Sequence, residues 1–145
     1  MSKVWFFVGF VFVSVYVPEF ESKVFTKCGL TKELLQNKFD RTLVGNWVCL
    51  IESESAKNTS KVIVKANGSK SLGLFQINSK DWCKFGSKGG KCNIKCEDLL
   101  TDDISDDSVC AKIIQQELGF RTWEGWMRSC YGRKLPLPSC PNLSS

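Results

Sequence analysis

The sequence predicts an α+β domain, and three patterns carry that prediction. Val44, Trp47, Val48 and Ile51 repeat at i, i+3, i+4 and i+7, which places them on one face of a helix. Val62-Ile63-Val64 and Leu72–Ile77 are strand-like apolar runs on either side of Asn67-Gly68, a dipeptide suited to a hairpin turn. Ser105-Asp106-Asp107-Ser108 has the composition of a helix start and leads into Val109, Ile113 and Ile114. Helical segments thus flank a small hairpin.

Taken in chain order, Met-Ser-Lys and the apolar run Val4 to Val17, ended by Pro18, read as a secretory signal peptide. The run is too short for a membrane span, and the expected division is a leader at 1–22 and one domain at 23–145. Thr31-Lys32-Glu33-Leu34-Leu35 opens the first helical run, with Phe39 closing its apolar face. The Val44 to Ile51 helix follows, and Glu54, seven residues after Trp47, projects from nearly the same side. Beyond the two strands lies a Gly- and Lys-rich loop holding Cys83, Cys92 and Cys96. A short helix with Trp123 and Trp126 comes after the Ser105 helix, and Pro136, Pro138 and Pro141 break up the tail.

Eight cysteines behind an export signal imply four disulfides in an oxidising compartment, so a secreted, extracellular protein is expected. Cys92-x3-Cys96 lacks the paired CxxC and histidine of a zinc site. The chain has no histidine at all, which removes Ser-His-Asp and Cys-His catalysis and the HExxH metalloproteases. A hydrolase working through carboxylic acids needs none of these.

The formal charge is +5, unevenly spread. Nine lysines lie between Lys57 and Lys95 against Asp81 alone, whereas Glu97 to Asp107 holds six carboxylates and no basic residue. One pole should attract anionic surfaces and the other cations. No nucleic-acid motif accompanies the basic stretch, and no nucleic-acid partner is expected. Asn58-Thr59-Ser60, Asn67-Gly68-Ser69 and Asn142-Leu143-Ser144 are N-glycosylation sequons.

The stretch Trp47-Val48-Cys49-Leu50-Ile51-Glu52-Ser53-Glu54-Ser55 resembles the catalytic helix of the chicken-type lysozymes and α-lactalbumins. Gly-Leu-Phe-Gln-Ile-Asn at 73–78, Asp81-Trp82-Cys83, Trp123-x2-Trp126 and the cysteine order extend the resemblance over residues 23–145, with insect members the most similar. It implies a helical lobe built from both ends of the chain, a small antiparallel lobe between them and a cleft at the junction. By the same resemblance Cys28 pairs with Cys140, Cys49 with Cys130, Cys83 with Cys96, and Cys92 with Cys110. Eight cysteines alone leave 105 pairings open.

The resemblance makes Glu54 the general acid of a β-1,4-glycosidase, with Trp123 packed against it, and Gln76, Asn78, Trp82 and Trp123 as glycan-binding residues. The family's active members place an aspartate seventeen residues after the acid, and here that position is Ser71. Retaining glycosidases, for which animal lysozyme is the standard illustration, need two carboxyls about 5 Å apart. Removing one preorganised electrostatic group costs on the order of 10²- to 10³-fold in rate. Weak or undetectable hydrolysis of peptidoglycan or chitin-like oligosaccharides is therefore expected. The rivals are a non-catalytic glycan- or bacterial-surface-binding protein, and surface disruption by the basic lobe alone.

Asp81 stands where the family usually has an aromatic before Trp82, and Leu72 where it usually has tyrosine, so sugar stacking should be weaker. Trp126 is expected in the core, Trp82 less so because its loop is polar. The resemblance also matches the acidic stretch to a calcium loop: Asp106 and Asp107 by side chain, Asp98 and Asp103 by carbonyl. Thr101 replaces the first ligand aspartate, so calcium binding would be weak, with no other cofactor expected. A monomer acting on bacterial cell-wall or other N-acetylated glycans completes the reading.

Overall fold

A computed structural model of the chain describes residues 4, 9–15 and 23–143. The predicted leader falls largely outside the described residues. Among them, helix α1 spans Lys27–Gln36, α2 Val44–Ser55, α3 Ser105–Leu118 and α4 Glu124–Ser129; strands β1 (Val62–Val64), β2 (Lys70–Leu72) and β3 (Ile77–Asn78) form one antiparallel sheet in the order β1-β2-β3. Short 3-10 turns at Cys96–Leu100 and Phe120–Thr122 lead into α3 and α4.

Helix α1 begins four residues before the predicted Thr31, because Thr26 caps it: its hydroxyl accepts the Gly29 N–H at 3.0 Å. Phe39 lies beyond this helix, not on it. The chain turns at Lys38 (φ 64°), and the Phe39 ring then packs edge-on against Trp47 with centroids 5.0 Å apart. All four apolar residues of the α2 pattern are buried, and Trp47 gathers Phe39, Phe75, Phe120 and Trp123 around it. Gly45 on α2 has no room for a side chain, since a Cβ there would stand 2.1 Å from the carbonyl oxygen of Leu135. The C-terminal tail therefore lies directly on the helix that carries Glu54.

The hairpin forms as expected around Asn67-Gly68, with Gly68 at φ 83° and Val62, Ile63 and Val64 opposite Leu72, Ser71 and Lys70. The second apolar run is not one strand, however. It divides at a turn whose first residue, Gly73, has φ 73° and whose last, Gln76, has φ 51°, and a Cβ on Gly73 would meet the Leu99 carbonyl oxygen at 2.0 Å. The turn folds Leu74 and Phe75 inward to complete burial and lets β3 return beside β2. In α3 the buried side is Asp107, Ser108, Cys110, Ala111 and Ile114, while Val109 is exposed, contrary to the apolar series Val109, Ile113, Ile114.

The four disulfides are Cys28–Cys140, Cys49–Cys130, Cys83–Cys96 and Cys92–Cys110, as the resemblance implied. The first two bridge 112 and 81 residues and close the helical lobe from both ends of the chain. The other two pin the loop after β3 and tie it to α3. Four bridges fit an oxidising compartment.

Candidate functional site

Between the lobes opens a cleft of about 200 Å³, with Glu54 near the end of α2 and Ser71 on β2 both in its lining. Glu54 is half-buried, and its Oε1 accepts the backbone N–H of Gly125 at 2.8 Å. That N–H belongs to the first turn of α4, where helical donors have no partner within the helix. Gly125 is what permits the approach: an added Cβ would stand 2.8 Å from Glu54 Oε1 and 2.8 Å from Ser53 Oγ. The Lys61 ammonium donates to the Glu54 carbonyl at 2.9 Å and so fixes the backbone behind the carboxyl.

Ser71 is only 4% exposed. It pairs with Asn78 across the sheet, and the Asn78 amide donates to its hydroxyl at 3.4 Å and to Ser69 Oγ at 3.0 Å. Neither hydroxyl is paired with a carboxylate in these contacts, so this wall presents a neutral oxygen.

The expected glycan-binding residues also line the cleft, but most of their polar atoms are engaged. Gln76 uses its amide nitrogen on the carbonyls of Lys61 (3.0 Å) and Gly73 (2.9 Å), which leaves its buried Oε1 without a partner. Asn78 Oδ1 accepts the Lys80 N–H at 2.9 Å. The Trp123 indole N–H donates to the Phe75 carbonyl at 2.8 Å, so it braces the helical lobe against the turn before β3 and is not offered to a ligand. Trp82 is 6% exposed with the Lys91 ammonium 5.0 Å from its ring, whereas Trp126 is only half-buried and bonds Asn46 through its indole N–H at 3.2 Å. The expected ranking of these two is thus reversed: the disulfides at Cys83 and Cys92 fold the polar loop over Trp82.

Sequence reasoning did not single out Lys65, Ile77, Ile114, Thr122 or Glu124, all of which line the cleft. Glu124 could have been suspected, because it stands between Trp123 and the residue that holds Glu54. It lies beside Glu54 on the helical wall, so it does not replace the carboxylate missing from the sheet wall.

With this geometry in view, the model of the C-type lysozyme/alpha-lactalbumin family matches residues 23–140. The chain belongs to that family. It is 50% identical to a lysozyme of Bombyx mori over 121 residues, 83% of this chain and 88% of the relative. It is also 39% identical to lysozyme-like protein 2 of Homo sapiens over 121 residues, 79% and 82% of the two chains. A calcium-binding lysozyme from equine milk superposes with a TM-score of 0.70 at 39% identity, covering 77% of this chain and 92% of that one.

No residue of the acidic loop lines the cleft. The Thr101 hydroxyl approaches the carbonyl oxygens of Asp98 (3.3 Å) and Asp103 (3.0 Å), the two backbone ligands expected for calcium, and so draws them toward one point. Asp103 takes its carboxylate to the backbone and hydroxyl of Ser105, which holds its pKa below the usual value. Asp106 is exposed. Asp107 is 1% exposed with both carboxyl oxygens unpartnered, and burial pushes its pKa well above the ordinary carboxylate value, the nearby charges of Asp106, Asp103 and Asp98 adding to the effect. Among the described residues no three acidic or thiol side chains come together. Two converging carbonyls and one orphaned carboxyl fit a hard cation; the neutral Thr101 leaves the set one charge short.

Proposed function

We propose that the protein is a secreted binder of cell-wall and related N-acetylated glycans that retains slow β-1,4-glycosidase action. The observation that carries this reading is the placement of Glu54, held by the Gly125 N–H at the edge of the cleft and facing Ser71 across it. A glycan lying in the cleft meets Glu54 and Glu124 on the helical wall, neutral Ser71 and Asn78 on the sheet wall, and the small exposed part of Trp82. The second oxygen of Glu54 delivers a proton to the glycosidic oxygen as its bond to the sugar carbon breaks. Water then adds to that carbon and returns a proton to the carboxylate. Ser71 neither forms the covalent intermediate nor offsets the positive charge that develops at the sugar carbon, and this is why the reaction is slow.

The test is turnover of purified peptidoglycan by wild type and by Glu54→Gln. Slow release of reducing ends that disappears in the variant supports residual hydrolysis. Wild-type release no faster than that of the variant, together with retention on the same peptidoglycan, makes the protein a binder only. A protein that neither cleaves nor is retained removes the glycan reading altogether.

The basic stretch supports attraction to anionic surfaces, with the protein acting as a monomer. The orphaned Asp107 supports weak calcium binding by Asp106, Asp107 and the carbonyls of Asp98 and Asp103. A bound cation there supplies positive charge to a buried carboxylate and has no part in the cleft chemistry.

A further inference from the structure

A second cavity, of about 340 Å³, lies between α2 and the C-terminal tail and shares no lining residue with the cleft. Glu52 lines it, while Glu54, two residues on, lines the cleft, so the two sites use nearly opposite sides of one helix. Its inner part is apolar, made by buried Val48 and half-buried Leu135, Leu137 and Pro138. Exposed Lys27, Arg133 and Lys134 bring three cations to it against the single carboxylate of Glu52. The Lys27 ammonium stands 3.9 Å from that carboxylate with both side chains open to water, a loose pair. Arg133 spends Nη1 on the Ser129 carbonyl at 2.8 Å and keeps the rest of its fork, and Lys134 has no acidic partner among the described residues.

The tail adds backbone groups to these charges. Residues 133–140 belong to no helix or strand, and Pro136 and Pro138 hold Leu135 and Leu137 extended while offering no N–H themselves. The N–H groups that remain fall on every second residue, Leu135, Leu137 and Ser139, and donate to no group among the described residues. All three residues line the cavity. The Cys28–Cys140 bridge at the end of the tail and the Leu135 carbonyl against Gly45 hold this row in place before anything binds. Spaced backbone donors along an extended chain pair with an incoming peptide, and a guanidinium fork takes a carboxylate. We propose that this cavity binds a short anionic peptide that ends in a free carboxylate and carries one amine, the make-up of the peptide arms of a bacterial cell wall. The carboxylates meet Arg133 and Lys134, the amine meets Glu52, and small side chains rest on Val48 and Leu137. A polyanion without amide groups would satisfy the cations but leave the row of N–H groups and Glu52 unused. The choice of ligand rests on the cell-wall reading given above, and it assigns the glycan to the cleft and the peptide to the tail.

The experiment is a titration of the isotope-labelled secreted protein, followed by amide NMR, with two probes used separately and together. One is N-acetyl-alanyl-γ-glutamyl-diaminopimelyl-alanine with the stereochemistry it has in the wall, and the other is the neutral N-acetylglucosamine tetramer. The peptide should shift the amides of Leu135, Leu137 and Ser139, the tetramer those of Asn78 and Trp82, and neither should displace the other. Arg133→Gln should weaken the peptide at least tenfold and leave the tetramer unaffected. If that variant melts early through loss of its bond to Ser129, Lys134→Glu, at an exposed position, must still weaken the peptide. A peptide that leaves the tail amides unmoved while the tetramer binds would overturn the proposal and spare the glycan reading. Peptide shifts at the tail with no tetramer binding would support this site and remove the cleft as a glycan site. Equal binding of the all-L, α-linked isomer, which carries the same charges, would overturn the wall peptide as the ligand.

Discussion

Restoring a carboxylate at Ser71 is the most direct test of how this cleft works. Ser71 is nearly buried, and its hydroxyl is met by the Asn78 amide at 3.4 Å. In Ser71→Asp that amide becomes a donor to the new carboxylate, and Lys65 lines the same cleft. The gain in transition-state stabilisation is about 3 to 4 kcal/mol, or 10²- to 10³-fold, if the carboxylate stands where charge develops. Against it runs the cost of burying a charge with too few partners, about 1 to 3 kcal/mol of fold stability. The two effects fall on different observables. Release of reducing ends from peptidoglycan should rise at least tenfold, while the melting temperature falls by a few degrees. A folded variant that is no faster than wild type would refute the assignment of Ser71 as the defect, and so would a wild type already as fast as the variant.

Three further outcomes follow from other parts of the molecule. Gly125→Ala, introduced into the Ser71→Asp variant, places a methyl where Glu54 Oε1 now sits, and turnover should drop at least tenfold with the melting curve little changed; undiminished turnover would show that the Gly125 contact does not position the acid. Adhesion to anionic bacterial surfaces should weaken steeply with salt, because exposed charges are screened within about 10 Å at 0.1 M, and adhesion that persists at 1 M would exclude the basic lobe as its cause. Calcium at a hundredfold excess over its dissociation constant should stabilise the fold by about 2.7 kcal/mol, and Asp107→Asn should abolish the rise in melting temperature. With chelator present the sign for Asp107 is opposite to that of a salt-bridged carboxylate. Its folded pKa is raised, so wild type loses stability relative to Asp107→Asn as pH climbs above the unfolded value of 3.8, and the two should converge near pH 3. Melting curves indifferent to calcium, chelator and pH would remove both roles.

The parts of the fold that repeat were legible in the sequence. The α2 face, the hairpin turn and the start of α3 each declare themselves through local spacing, and the structure keeps them. The misreadings arose where a distant contact decides the matter. Leu72–Ile77 has the composition of a continuous strand, and only the Leu99 carbonyl lying over Gly73 forces it to turn. Trp82 looked accessible because its neighbours are polar, yet two disulfides close that loop around it. In the site, Glu54 and Ser71 were found through resemblance, since nothing in their own spacing says that they face each other. Gly125 was invisible: a glycine beginning a short helix carries no signal until the carboxyl it accommodates is placed against it.

The helical lobe is sewn together from the two ends of the chain, and this gives the protein an order of assembly. The hairpin at residues 62–72 needs only its own strands and the Gly73 turn needs Leu99 soon after, while Cys83–Cys96 and Cys92–Cys110 need only neighbours within 13 and 18 positions. Helix α2 must wait. Its Trp47 face lacks Trp123 and its Gly45 face lacks the Leu135 carbonyl until almost the whole polypeptide has been made. Cys28 and Cys49 are meanwhile free to bond with any cysteine that emerges before Cys130 and Cys140. Correct maturation therefore leans on thiol exchange late in synthesis, and a chain truncated between Cys110 and Cys130 should accumulate as mixed disulfides that retain the small lobe alone.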